Sequence, residues 1–120
     1  MDIKKVIKES LTISPLMEGK EKVTIDELIA RETPVVIIGI DPVSIPDKLK
    51  GGMSDTYVVA TPTEFFFAPT VLVNVFNNLM EAFKGDLTAI NAELERGDVM
   101  LSLYKKTNSK GIEYTAAEIL

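Results

Sequence analysis

Val35-Val36-Ile37-Ile38-Gly39-Ile40 is the stretch on which the fold turns. It is β-branched and nearly continuous in apolar residues, the pattern of a strand buried on both faces. Gly39 inside it marks a bulge or a sharp bend. A polar stretch follows from Asp41 to Asp55, carrying Pro42, Pro46 and Gly51-Gly52. It reads as a long loop, or as a frayed hairpin around Val43-Ser44-Ile45. Long loops in compact domains are usually functional or disordered. Residues 55–61 and 64–67 then read as two strands about a tight turn at Pro62-Thr63, an antiparallel hairpin.

Beyond that hairpin the apolar period changes. Pro69-Thr70 opens a helix in which Leu72, Phe76, Leu79 and Phe83 make one apolar stripe. Gly85 stops it. Asp86 is a good N-cap for a second helix with Leu87, Ile90 and Leu94 on its face, closed by Gly97. Residues 99–106 are the next strand, with Val99, Leu101 and Leu103 as its apolar face. Thr107-Asn108-Ser109-Lys110-Gly111 is a turn cluster, and residues 112–119 return as the last strand. With 107–111 as the loop, Tyr104 faces Tyr114 and Lys105 faces Glu113. An aromatic pair and an opposite-charge pair both favour that register.

On the N-terminal side of the central stretch, Thr24-Ile25-Asp26-Glu27 matches a capping box and places a short helix at 25–31, ended near Thr33-Pro34. Residues 16–22 are charged and read as a linker. Ile3, Val6, Ile7 and Leu11 recur at roughly helical spacing, with Lys4, Lys5 and Lys8 on the other side, as in a short amphipathic arm. Ser14-Pro15 ends it, because the residue before proline disfavours the α region. The expected division is an arm and linker over 1–22 and one domain over 23–120.

Composition narrows the function classes. The chain has 120 residues, 46% hydrophobic and 26% charged, which is enough for one hydrophobic core. It has no cysteine and no histidine, which excludes a disulfide scaffold, a thiolate metal site, a Ser-His-Asp triad and a His-ligated zinc or haem. No P-loop, dinucleotide fingerprint or nucleophile elbow occurs. The expectation is a non-enzymatic protein with no metal and no small-molecule cofactor. Thirteen basic residues against 18 acidic ones give a net charge of −5, which disfavours a DNA-coating protein but allows a local basic patch. No apolar run approaches the ~20 residues of a membrane span, and the first ten residues lack the apolar region of a signal peptide. A cytoplasmic protein without membrane contact is expected.

Strand, strand, strand, helix, strand, strand is the element order of the OB-fold, a five-stranded Greek-key barrel. The expected architecture is therefore mainly β and OB-fold-like. A helix or broken helix pair lies between strands 3 and 4, and a short helical arm precedes the barrel. A generic α+β meander has the same elements. The OB-fold binds through the face of strands 2 and 3 and the loops joining strands 1–2 and 4–5, here 41–55 and 107–111.

Three segments carry a family resemblance. They are Ser14-Pro15-Leu16-Met17-Glu18-Gly19-Lys20-Glu21-Lys22-Val23 with Thr24-Ile25-Asp26-Glu27-Leu28-Ile29, then Phe66-Phe67-Ala68-Pro69-Thr70-Val71-Leu72, and last the hairpin from Lys105 to Tyr114. Over about residues 14 to 120 the chain resembles small proteins of Firmicute prophages and integrated mobile elements. That group is similar to phage single-stranded-DNA-binding proteins of the OB type. The resemblance implies an OB-type fold and single-strand binding.

Single-strand binding needs a positive groove for the backbone and aromatic faces for the bases. Tyr104, Lys105, Lys106, Lys110 and Tyr114 on the last hairpin supply both kinds of group; the plain alternative is a solvated hairpin tip with a cross-strand aromatic pair. Lys48 and Lys50 beside Gly51-Gly52 are further candidates, although Asp41, Asp47 and Asp55 outweigh them. Tyr57 and Phe66 complete the set. Phe66 alternates in face with Phe65 and Phe67, so one set stacks bases or packs under the helix while the other enters the core. The acidic residues Asp86, Glu93, Glu95 and Asp98 repel nucleic acid, so the binding face should lie away from them. The expected partner is single-stranded DNA, with homo-oligomerisation compensating for the net charge. The second expectation is a protein–protein or phage assembly module on the same fold, contacting partners through its arm and a strand edge.

Overall fold

The computed structural model describes residues 14–46 and 51–120. Its strands are Glu21–Lys22 (β1), Val35–Val36 (β2), Gly39–Pro46 (β3), Met53–Ala60 (β4), Glu64–Phe67 (β5), Met100–Thr107 (β6) and Glu113–Ile119 (β7). Its helices are Ile25–Ala30 (α1), Thr70–Ala82 (α2) and Leu87–Leu94 (α3), and Pro15–Met17 forms one 3-10 turn. The expected N-terminal arm, Lys48 and Lys50 lie outside the described residues.

The central stretch is shared between two sheets. In one, β2 pairs antiparallel with β6, Val35 opposite Leu101, and β6 pairs with β7. In the other, the order is β1-β5-β4-β3. The chain changes sheet at Ile37 and Ile38: the Ile37 N–H donates to the Val99 carbonyl at 3.0 Å and the Ile38 N–H to the Ala60 carbonyl at 2.9 Å. Gly39 follows this crossing. A Cβ at Gly39 would lie 3.3 Å from both Cδ atoms of Leu16, so the glycine permits a close approach.

The fold is mixed and mainly β, but its sheets do not close into a five-stranded barrel. Closure would need β5 to pair with β7, and β1 occupies that edge of β5. Glu21 stands opposite Glu64 and Lys22 opposite Phe65 in a parallel pair, and the Val23 N–H donates to the Phe65 carbonyl at 2.9 Å. Residues 16–22 therefore belong to the sheet and its cover, where the sequence reads as a linker. The Lys20 Nζ donates to the Thr61 carbonyl at 2.6 Å, tying that segment to the β4–β5 turn.

The 41–55 stretch is a hairpin rather than a loop. Asp41 to Pro46 pairs with Met53 to Val58, with Ser44 Oγ donating to Asp55 Oδ1 at 2.6 Å. Both prolines are tolerated because β3 is an edge strand. The capping box is half realised: Thr24 Oγ1 accepts from the Glu27 N–H at 3.2 Å. Asp86 caps α3 as its position suggests, accepting from the Ala89 N–H at 3.0 Å. Gly85 and Gly97, at φ +79° and +76°, terminate the two helical segments.

Alternation along the strands defines the core. Ile40, Tyr57, Val59 and Phe66 from one sheet meet Val35, Leu101 and Leu103 from the other, with Leu72 and Phe76 of α2, Ile90 and Leu94 of α3 and Leu28 of α1 between and beside them. Val58 and Phe65 point to the opposite face of their sheet and are nonetheless buried. The segment from Ser14 to Met17 covers that face: Leu16 packs on Gly39, and Ser14 Oγ donates to Asp41 Oδ2 at 2.7 Å.

Candidate nucleic-acid interface

The β6–β7 hairpin turns one residue later than its sequence suggests. Asn108 Oδ1 accepts from the N–H groups of Lys110 at 2.9 Å and Ile112 at 3.0 Å, so Asn108 starts the loop and Gly111 takes φ +79°. Thr107 pairs with Glu113, Lys106 with Tyr114, Lys105 with Thr115 and Tyr104 with Ala116. The expected pairs Tyr104–Tyr114 and Lys105–Glu113 are thus corrected. The asparagine's side-chain bonds outweigh the aromatic and charge pairing that favoured the other register.

The slip keeps each residue on its face, because it moves the pairing by an even number. Tyr104, Lys106 and Tyr114 still share the outer face of the hairpin, with Lys106 directly opposite Tyr114 and Tyr104 diagonal to it. Tyr114 and Lys106 are exposed and Tyr104 is half-buried. Lys110 is exposed at the tip. The register therefore puts two tyrosines and one lysine on one face of the hairpin, with a second lysine at its tip.

Lys105 is not part of it. It lies on the opposite face, where its Nζ donates to Thr115 Oγ1 at 3.3 Å and stands 3.4 Å from Asp26 Oδ1 of α1. Tyr57 and Phe66 are core residues. Phe66 is 0% exposed, and Tyr57 packs edge-on against Phe76 while its hydroxyl donates to Asn77 Oδ1 at 2.7 Å. Burial raises the Tyr57 pKa, so its hydroxyl stays neutral and serves as a donor. Neither ring offers a face to a base.

The other phenylalanine pair lies outside the core. Phe65 and Phe67 meet edge to face at 6.3 Å, and the Lys22 ammonium sits 5.3 Å from the Phe67 ring centre. Phe65 is buried and Phe67 half-buried. The face of β4 and β5, the binding surface of an OB-type protein, is thus largely occupied by the chain's own residues. Sequence alternation separated the two phenylalanine sets but carried no signal for which one the Ser14–Met17 segment would cover.

An open cleft of about 490 Å³ lies between the β3–β4 hairpin and α2. Ser44 pairs with Asp55 and Tyr57 with Asn77 within it, the Thr56 hydroxyl donates to the Ala68 carbonyl, and Asp55 is the charged residue lining it. A carboxylate there disfavours phosphate. The acidic residues around α3 lie apart from the hairpin tip. α3 is fastened to β3 through Asn91, and Asp98 precedes the far end of β6, about 24 Å along the strand from the turn. Among the described residues, no group of three or more acidic side chains is placed to hold a metal ion, and no helix is long and apolar enough to cross a membrane. Comparison with protein-family models, curated proteins and solved structures finds no match for this chain.

Proposed function

We propose that the chain binds single-stranded DNA with little sequence preference, through the outer face and tip of the β6–β7 hairpin. The observation that carries this reading is the cross-strand pair Lys106–Tyr114 with Tyr104 on the same face. It puts a lysine and two tyrosines on one strand-pair face, the residue types that track a phosphate backbone while bases stack. Lys110 extends the charge to the tip. The fold reading that accompanies it is an OB-type barrel left open between β5 and β7. Its support is the path β5-β4-β3, then β2-β6-β7, with one continuous stretch shared by both sheets and α2 between β5 and β6. In this reading the strand 4–5 loop binds and the face of strands 2 and 3 does not. The chain acts as a binding module with no chemistry of its own, in the cytoplasm of a cell carrying a prophage or mobile element.

The test is fluorescence anisotropy of a labelled single-stranded oligonucleotide titrated with protein. Binding that falls on Tyr104→Ala and on Lys106→Ala supports the reading. No binding at low salt and high protein concentration sinks it.

A second reading, a protein-interaction module, is favoured by one specific feature: the edge of β7, whose outward backbone groups have no partner among the described residues.

A further inference from the structure

Among the described residues four strands form the ends of the two sheets, and three of their edges are closed or very short. β1 and β2 have two residues each. On β3, Asn91 binds both the N–H and the C=O of Ile40, at 2.9 and 3.0 Å. The even-numbered residues of β3 therefore point away from β4, and two of the next three are Pro42 and Pro46, which have no N–H to offer. That edge is blocked along most of its length.

β7 is different. The bonds from the Asn108 N–H to the Ile112 carbonyl and from the Leu120 N–H to the Met100 carbonyl show that even-numbered residues of this hairpin face β6. Glu113, Thr115, Ala117 and Ile119 consequently direct their N–H and C=O groups outward, and among the described residues these backbone groups have no partner. β7 holds no proline and no lysine; Ile119 at its end and Leu120 after it are 66% and 58% exposed. α2 packs beside β7, and an edge of this length, with outward backbone groups unpartnered among the described residues and exposed apolar residues at its end, is a template for another strand.

We infer that a second copy of this chain pairs with β7 antiparallel across a two-fold axis at Ala116, giving a six-stranded sheet β2-β6-β7-β7-β6-β2. The sequence of β7 is complementary to itself in this register. It is the alignment in which all seven residues from Glu113 to Ile119 find partners, and its hydrogen-bonded pairs, Glu113 with Ile119 and Thr115 with Ala117, are the residues whose backbone groups point outward. Glu113 meets Ile119, Glu118 meets Tyr114, and Ala116 meets itself at the axis. No like charges oppose, whereas sliding the strands to centre on Glu113 or on Glu118 would set carboxylates face to face. The axis is perpendicular to the sheet, so both copies present Tyr104, Lys106 and Tyr114 on the same side. The association needs no nucleic acid, and its test is made without one.

Sedimentation of the full chain over a concentration series should show a reversible monomer–dimer equilibrium. Ile119→Glu places two carboxylate pairs across the interface at a site exposed in the monomer, and should weaken the dimer about tenfold or more. Adding Glu113→Lys in the same chain should restore it, with circular dichroism confirming that both variants fold. Ala116→Cys should form a disulfide-linked dimer under mild oxidation, because residues in a non-hydrogen-bonded pair have Cα atoms about 4.5 Å apart and the chain has no other cysteine. A wild-type chain that stays monomeric at high micromolar concentration overturns the inference. So does a dimer that Ile119→Glu leaves unchanged, a double variant that stays monomeric, or an Ala116→Cys variant that does not link.

Discussion

Asn91 of α3 acts as a strand partner for Ile40. Its Oδ1 accepts the Ile40 N–H at 2.9 Å and its Nδ2 donates to the Ile40 carbonyl at 3.0 Å. Ile40 is 0% exposed, so water cannot replace either bond. Asn91→Ala is expected to cost about 1–3 kcal/mol, the desolvation penalty of the groups left unpaired. Asn91→Asp should also destabilise, because a carboxylate oxygen would face the carbonyl. Urea unfolding midpoints measure both, and a loss under a few tenths of a kcal/mol would contradict this role.

Gly39 and Leu16 form a second coupled pair. The Cβ of Gly39→Ala would sit 3.3 Å from the Leu16 methyl carbons, so the leucine must yield. A loss of about 1 kcal/mol is expected, and more for Gly39→Val. In a double-mutant cycle with Leu16→Ala the two effects should be non-additive, since removing Leu16 removes the clash. Additivity would show that Leu16 does not hold its place on Gly39.

Tyr57 sets an alkaline limit. Burial raises its pKa, so the folded chain keeps the proton that the unfolded chain releases near pH 10. Its stability contribution is complete below that unfolded value and is lost as pH rises through the higher folded value. Tyr57→Phe should lower stability at neutral pH by about 0.5–1.5 kcal/mol through the lost bond to Asn77. It should also flatten the alkaline decline of the thermal midpoint; an unchanged alkaline limb would exclude Tyr57 as its source.

Glu64 contributes at the acid end. Arg31 donates to both its carboxylate oxygens, at 2.6 and 2.8 Å, and this bidentate bond holds the carboxyl below its ordinary pKa. The resulting stability is present above the unfolded carboxylate value and is lost as pH falls through the lower folded value. The pair is partly solvated, so the effect should be small and sensitive to salt. Thermal melts of Glu64→Gln across the acid range should show a shallower acid decline than the wild type.

Local pattern carried much of this fold. Capping residues placed α1 and α3, the four-three-four stripe placed α2, and alternation separated Phe66 from Phe65 and Phe67. What pattern did not carry was long-range competition. β1 takes the edge of β5 through backbone bonds that any charged dipeptide can make, so Glu21-Lys22 gives no strand signal of its own. The change of sheet at Ile37 and Ile38 is invisible in a run of β-branched residues that suits either sheet. The candidate site was legible as a set of types on one hairpin, and parity kept Tyr104, Lys106 and Tyr114 together. The Asn108 turn decided which of them oppose one another. Lys105 went to Asp26, a contact between segments distant in the chain that the sequence does not advertise.

The salt dependence of binding to a single-stranded oligonucleotide tests the proposed function most directly. Each phosphate neutralised contributes about −0.7 to the slope of log K against log salt on single strands. With Lys106 and Lys110 engaged, the wild type should show a slope of about −1.4. Lys106→Ala should reduce its magnitude by about 0.7, while Tyr114→Ala should lower affinity by about 1–3 kcal/mol and leave the slope unchanged. Binding that is absent at low salt, or whose slope and strength are the same in all three proteins, would contradict the assignment of this hairpin as a single-strand interface.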